Sequence, residues 1–363
     1  MLVLLTSYLF PISYAFLLFP VAALLFTLPF LIVQYRRHGY IHKLRGALLY
    51  LFLLYLMNAL FLVLLPLPAS RHNAPPAAAA WVQWVPLRFV LDIARETGVV
   101  ADRPSTYWHL LKERAFLQAV FNIFLTVPFG MFLRYYFRAG WRACLLASLG
   151  LSLFFEVTQV TGLYGYYDYP YRLFDIDDLL LNTTGGLLGF VAAEWLSSRL
   201  PRMDKLDDHL DLTGKRVSYT RRGVALTLDW MLLYPFLALF GAFRSPVAYL
   251  IAVFLYFIVL PYATNGRTFG KWVVRIRIAG SAPRLRLREI VLRNGPLYLL
   301  LGGLHALYIS ETFRQFPKIV IAFYAIGLFA VDVWVCLHLL TRLFSRSKKP
   351  FHDAIGGTTH IIT

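Results

Sequence analysis

"SLFFEVTQVTGLYGYYDYPYRLFDIDDLLLNTTGGLLG" runs from Ser152 to Gly189. Its first part, through Val160, and its last part, from about Asp178, are apolar enough for membrane helices. Between and within them stand Glu156, Gln159, Arg172, Asp175, Asp177, Asp178 and Asn182. A charge left uncompensated at the centre of a membrane helix costs at least about 2.5–3.5 kcal/mol on insertion scales. Charged groups at the lip of two such helices must therefore be paired or wet.

The spacing organises them. Glu156 and Gln159 are three apart and share a helix face. If the next helix begins near Leu173, Asp175, Asp178 and Asn182 share one too. Below them Gly185 and Gly189 form a GxxxG, which lets helices approach closely. That small face is expected to pack against the preceding span. Arg172 is the only cation in the loop, and its pairing with Glu156, Asp175 or Asp178 is the expected arrangement. Two readings stand side by side: a polar network pinning the two spans, and a polar pocket open to the outer face. A cation site on "DIDD" lacks the loop length and glycine of an EF-hand.

Outward from this stretch, the composition fits the same picture. The chain has 363 residues, 59% hydrophobic and 15% charged, with a mean hydropathy of +0.60. Soluble domains carry about 25% charged residues. Several runs reach the roughly 20 apolar residues that cross a bilayer as helix, and they are unbroken rather than alternating, which excludes an outer-membrane barrel. The fold class expected is all-α, a polytopic transmembrane helix bundle. The apolar N-terminal run lacks the basic start of a signal peptide and exceeds its apolar core of about 7–15 residues. It is read as a retained span. Cys144 and Cys336 fall inside spans and are read as packing residues.

Nine spans are expected: about 10–33, 45–66, 116–134, 142–160, 178–197, 223–243, 246–264, 295–310 and 319–341. Basic residues fall in alternate connections: "YRRHGYIHKLR"; Arg134, Arg138 and Arg142; Lys205 to Arg222; Arg267 to Arg293; and Arg342, Arg346, Lys348 and Lys349 in the tail. Cytoplasmic loops carry the excess of Lys and Arg. The expected topology is therefore an outside N-terminus and an inside C-terminus, in a bacterial cytoplasmic membrane. Topology accounts for most of the net charge of +17, and no nucleic-acid motif accompanies it, so no nucleic-acid partner is expected.

The long outside segment from Pro66 to Arg114 holds Trp81, Trp84 and Trp108, which suit the headgroup layer. Residues 80–114, interrupted by Pro86, are read as one or two interfacial helices. The polar stretch 199–220, with Pro201 and Gly214, separates two hydrophobic blocks. The domains expected are 1–200, a cytoplasmic linker 201–220, and 221–363.

In the second block, Asp229 follows Arg222 by seven residues, two helical turns or about 10 Å on the same face. An acid inside a span is a functional candidate, against a plain hydrogen-bonding role; Asp332, in the middle of the ninth span, is another. "NGRTFGKW" (265–272) lacks the spacing and Ser/Thr of a phosphate loop. Gly266 and Gly270 are instead expected to shape a turn before a short basic strand or interfacial segment.

Two resemblances follow. "FNIFLTVPFGMFL" (121–133), Glu156, Gln159 and "RLFDIDDLLLNTTGGLLG" (172–189) resemble the VanZ family of bacterial membrane proteins over about residues 10–200. Asn122, Pro128 and Gly130 match its first element. Glu156, Gln159, Arg172, Asp175, Asp178, Asn182 and Gly186 match the rest. That resemblance implies a role at the cell envelope; the namesake is linked to low-level resistance to the glycopeptide teicoplanin. Arg222 with Asp229, the GRTFGK loop and the closing "HDAIGGT" resemble the RDD family over about 215–363. Its second aspartate is either Asp353 or Asp332. Members are thought of as membrane modules, with transport roles suggested but not established and ligands mostly undefined.

Three functions compete. The leading one is a cell-envelope membrane protein lowering susceptibility to glycopeptides through an outward polar lip of Asn122, Glu156, Gln159, Arg172, Asp175, Asp178 and Asn182. The second is a transporter or ion exchanger using Asp229 and Asp332. The third, an enzyme on lipids with Glu156 as general base, lacks a neighbouring histidine, a nucleophile signature and metal-ligand spacing. The partners expected are the lipid bilayer, with lipid-linked wall precursors or glycopeptides as candidates. No cofactor or metal is expected.

Overall fold

The computed structural model describes residues 2–75, 81–100, 102–203, 205–207, 216–239, 245–344 and 350–363. The alanine tract after Pro75, Gly214 and Lys215 of the polar stretch, the end of the sixth expected span, and Arg346, Lys348 and Lys349 lie outside these residues.

The helices are α1 (Leu2–His38), α2 (Lys43–Leu64), α3 (Arg88–Glu96), α4 (Arg114–Tyr135), α5 (Trp141–Val160), α6 (Ile176–Leu196), α7 (Tyr219–Leu239), α8 (Pro246–Ala263), α9 (Phe269–Val273), α10 (Leu287–Ile309), α11 (Lys318–Phe344) and α12 (Phe351–Ile355). All except α3, α9 and α12 are long and apolar enough to cross a membrane, nine among the described residues. The protein is a multi-pass membrane protein, mostly helical with very little sheet. Two compact units form: Met1–Leu25 with His42–His209, and Phe26–Ile41 with Leu210–Thr363.

In the first unit α6 lies against α4 and α5. Glycine makes this possible. A Cβ on Gly185 or Gly189 would collide with the carbonyls of Ile123 or Val127 on α4, and one on Gly130 with the carbonyl of Gly186. The GxxxG face therefore meets α4, the third span, and not the fourth as expected. Gly186, one residue on, is the glycine that faces α5, at Ser148. Helix α2 joins through stacked rings of Phe52 and Phe132, 4.0 Å apart, and through the Tyr55 hydroxyl, which donates to the Leu125 carbonyl at 2.7 Å. Cys144 is buried in α5, while Cys336 is exposed on α11; both are free thiols.

The segment expected to be interfacial helix is only partly helical. Val82 and Gln83 (β1) are extended and pair in parallel with Phe174 and Asp175 (β2). Proline disfavours helix at the residue before it, and α3 begins only after Pro86. A 3₁₀ helix, Pro104–Lys112, follows.

In the second unit α7 and α9 pack together through Val224, Ala225, Val273 and Val274, joined by Ile276 and Tyr35. A second cluster joins Leu233 and Leu237 to Tyr249, Val253, Phe257 and Ala306. Strand β3 (Ile276–Ala279) pairs antiparallel with β4 (Thr359–Ile362). The short strand expected after the glycines is thus present. Gly266 (φ +94°) shapes the turn, whereas Gly270 lies inside α9, against the Ala225 carbonyl. Helix α10 begins at Leu287, earlier than the expected 295. Its first turns carry charges that end a hydropathy window, and two of them, Glu289 and Arg293, are partnered. Glu289 accepts from the Ser281 and Arg286 backbone N–H groups at 2.9 Å, and Arg293 is paired as described below.

Candidate functional site

The first polar cluster sits at the facing ends of α4, α5 and α6. Helix α6 starts at Ile176, so Asp175 is its N-cap and not a member of its face: the Asp175 carboxylate accepts the Asp177 N–H at 2.9 Å. Such a cap satisfies one of the donors left open at a helix start. Asp178 and Asn182 do share a face. The Asn122 amide of α4 donates to the Asp178 carboxylate. The Asn182 amide donates to the Ser152 hydroxyl at 3.0 Å, and that hydroxyl donates to the Asp178 carbonyl at 3.2 Å. Thr126 donates to the Asn182 carbonyl at 2.5 Å. Glu156, 2% exposed, accepts the Asp175 N–H at 2.9 Å. Gln159 turns away and donates to the Val63 carbonyl at the end of α2, at 2.8 Å. The structure thus joins Asn122, Glu156, Asp175, Asp178 and Asn182, and uses Gln159 as a tie to α2.

Arg172 departs from expectation. It is exposed and makes no direct ion pair among the described residues. The buried carboxylates are met by backbone N–H groups and an amide, which satisfies them without desolvating a guanidinium. Burial still leaves its mark in the loop: it holds the Asp175 carboxyl above the usual range and pushes the Tyr171 hydroxyl up to about 12.

Asp177 is the residue that sequence reasoning left without a role. It is 3% exposed, and its two oxygens accept the N–H groups of Leu87 at 2.6 Å and Phe89 at 2.9 Å. It caps α3 from ninety residues away. The second acid of "DIDD" thereby ties the segment 82–96 to the lip, together with the β1–β2 pairing. Beneath α3 an apolar cleft of about 370 Å³ opens, lined among others by Leu87, Phe89, Ile93, Ile123 and Leu181.

The second cluster belongs to the second unit. Asp229, fully buried in α7, accepts from the Tyr256 hydroxyl, the Thr268 hydroxyl and the Gly270 N–H, each at 2.7 Å. The Lys271 ammonium is 3.7 Å away, and burial lowers that group to about 8. Asp353, 1% exposed, bridges two guanidinia: Arg222 at 2.6 Å and Arg293 at 2.6 Å. Arg293 also donates to the Thr358 hydroxyl at 2.6 Å and lies 3.3 Å from His360. Asp332 is elsewhere, 3.1 Å from His305. So the structure gives Arg222 to Asp353, and Asp229 to a separate set of donors.

Neither Lys271, Arg293 nor Arg221 was singled out from the sequence. Arg221, 2% exposed, donates to the carbonyls of Val274, Gly39 and Arg275 at 2.7, 2.9 and 3.0 Å, and stands 5.0 Å above the Tyr35 ring. Nothing in "TRRG" says which arginine goes inward; only the helix phase of α7 against its neighbours does.

The histidines of this cluster have a pH consequence. Burial, aided by Arg293, lowers His352 from 6.5 to about 4 and His360 well below 6.5. Above pH 6.5 both are neutral folded or unfolded, and they cost nothing. As pH falls below 6.5 the unfolded chain binds protons that the folded one refuses, so stability declines down to about pH 4. Thermal midpoints of the purified protein should fall across that window, and His352→Gln with His360→Gln should flatten the decline. An unchanged slope in the double variant would remove the histidines as its cause.

Residues 52–197 match the VanZ/LLP1 family model, and residues 216–357 match the RDD family model. No curated protein and no solved structure matches the chain. The first match runs from α2 through α6 and contains the whole lip; the second contains Arg222, Asp229, Asp332 and Asp353.

Proposed function

We propose that this chain, in which a VanZ-like domain at 52–197 precedes an RDD family domain at 216–357, is a cell-envelope protein of the bacterial cytoplasmic membrane that lowers susceptibility to glycopeptides such as teicoplanin. The observation that carries the reading is the lip itself. Glu156, Asp175, Asp177 and Asp178 gather at one end of α5 and α6, and the segment 82–96 is fastened over them by Asp177 and β-pairing. In this reading the lip is the working surface, where glycopeptides or lipid-linked wall precursors meet the membrane.

The reading needs the lip outside, and the basic loops support an outside N-terminus and a cytoplasmic C-terminus. Cysteine placed at Asp168 should react with an impermeant maleimide on intact cells, and cysteine at Arg138 should not, in a background with Cys144 and Cys336 replaced by alanine. Labelling at Arg138 alone would invert the topology.

The function is tested in a deletion strain complemented with full-length variants at matched membrane levels. Glu156→Gln and Asp178→Asn should abolish glycopeptide protection, because they remove charge at nearly constant volume. Asp229→Asn and Asp332→Asn should leave it intact. The reverse pattern, with altered ion tolerance, would replace the envelope reading by ion exchange.

A further inference from the structure

One polar pair belongs to neither cluster. Asp332 is the fifteenth of 24 residues in the apolar span Lys318–Thr341. That places it about 20 Å along the helix, well inside the hydrocarbon layer. Its partner is His305 on α10, with Nε2 3.1 Å from Oδ2. Their side chains are 42% and 40% exposed. The surrounding surface of α11 is lipid-like: Ile326, Phe329, Val333, Trp334 and Leu337 are all exposed. Ionisable side chains inside membrane helices almost always face the bundle interior or a water-filled path. Here a carboxyl and an imidazole are left on the outer surface.

The hydrogen bonds fix how many protons the pair holds. His305 Nδ1 lies 2.9 Å from the Leu301 carbonyl, which can only accept, so Nδ1 carries a hydrogen. Neutral His305 then presents a bare lone pair at Nε2. A carboxylate cannot approach a lone pair at 3.1 Å; one hydrogen must lie between them. Either Asp332 is a neutral acid donating to Nε2, or His305 is an imidazolium donating to Asp332. In both forms the pair is neutral overall and holds one proton beyond the imidazole's own. An apolar setting favours the form without separated charges.

We propose that His305 and Asp332 form a proton-binding site on the lipid-facing surface of the second unit, with the proton resident on the Asp332 carboxyl and accepted by His305 Nε2. The ligand is the proton, and its route of exchange is lateral, through the exposed face of α10 and α11. The site stands apart from Asp229 and Asp353, which have their own donors and are 0% and 1% exposed.

The test uses the full-length protein in native membranes treated with dicyclohexylcarbodiimide, a lipid-soluble reagent for protonated carboxyl groups. The carboxyl oxygen bonds to the central carbon of the reagent and the acid proton passes to a reagent nitrogen; nothing leaves, so the product is a simple adduct. Peptide mass spectrometry should find the adduct on Asp332 and not on Asp229 or Asp353. A water-soluble carbodiimide should not produce it. His305→Arg should lower labelling of Asp332 several-fold, because a guanidinium has donors only and holds an ionised, unreactive carboxylate, whereas His305→Gln, whose carbonyl can accept the acid proton in place of Nε2, should keep it. Absence of the adduct in the wild-type protein, equal labelling by the water-soluble reagent, or unchanged labelling in His305→Arg would each overturn the proposal.

Discussion

Replacing Asp353 by alanine should lower the stability of the protein by about 3–5 kcal/mol, the usual cost of removing one partner from a buried ion pair. The site argues for the upper part of that range. Asp353 is 1% exposed and serves two cations at once, and the Arg293 side chain is only 4% exposed, so it has no water to fall back on. Its remaining contacts, to Thr358 and His360, carry no negative charge that could replace the carboxylate. Thermal unfolding of the detergent-purified protein reads the effect. Asp332→Ala is the natural comparison, since that carboxyl is 42% exposed and holds a single partner. Adding Arg293→Met to Asp353→Ala should recover part of the loss by removing the stranded charge. Equal midpoints for Asp353→Ala and Asp332→Ala would show that the Arg222–Asp353–Arg293 bridge does not hold the second unit.

Gly185→Ala should be nearly as damaging, for a steric reason. Its new Cβ would run into the Ile123 carbonyl, a backbone atom of α4 that no side-chain rearrangement can move aside. Helices α4 and α6 would have to separate, and the Asn122–Asp178 and Thr126–Asn182 hydrogen bonds would go with them. The expected cost lies at the upper end of the roughly 1–3 kcal/mol typical of over-packing. Gly186→Ala provides the internal contrast. Its Cβ would meet the Oγ and Cβ of Ser148, side-chain atoms rather than backbone. Ser148→Gly should therefore rescue Gly186→Ala and do nothing for Gly185→Ala. Gly185→Ala, Gly186→Ala, Ser148→Gly and the two doubles form two coupling cycles in thermal midpoints. Rescue of both, or of neither, would contradict the helix contacts described above.

These two sites also mark where the sequence stops being informative. By itself it determined that the chain is a membrane helix bundle, which segments span, and that polar groups gather at the heads of the fourth and fifth spans. Those properties are local: hydropathy over about 20 residues is set against the thickness of a hydrocarbon layer, and residues three or four apart share a face whatever lies nearby. The motifs around Asn122, Glu156 and Asp178, and around Arg222, were legible through the resemblance to the two families, which left the second aspartate open between Asp353 and Asp332.

What only the tertiary structure decided are the partners. Asp177 meets Leu87 across ninety positions of chain, and Arg222 meets Asp353 across 131. The reading of Arg172 as the ion-pair partner of the lip failed on this point. The nearest cation in the loop is not the nearest donor in space, and backbone N–H groups, invisible as letters, satisfied the acids first. The glycine face was misassigned for a related reason. Gly185, Gly186 and Gly189 point to two different neighbours, and adjacent residues on a helix differ by about 100° of rotation. A pattern of small residues tells that a close approach occurs; only the packed helices tell which one makes it. Arg221 rather than Arg222 turns to the carbonyls of Gly39, Val274 and Arg275 by that same rotation, because three carbonyls from two separate segments must find one donor among them.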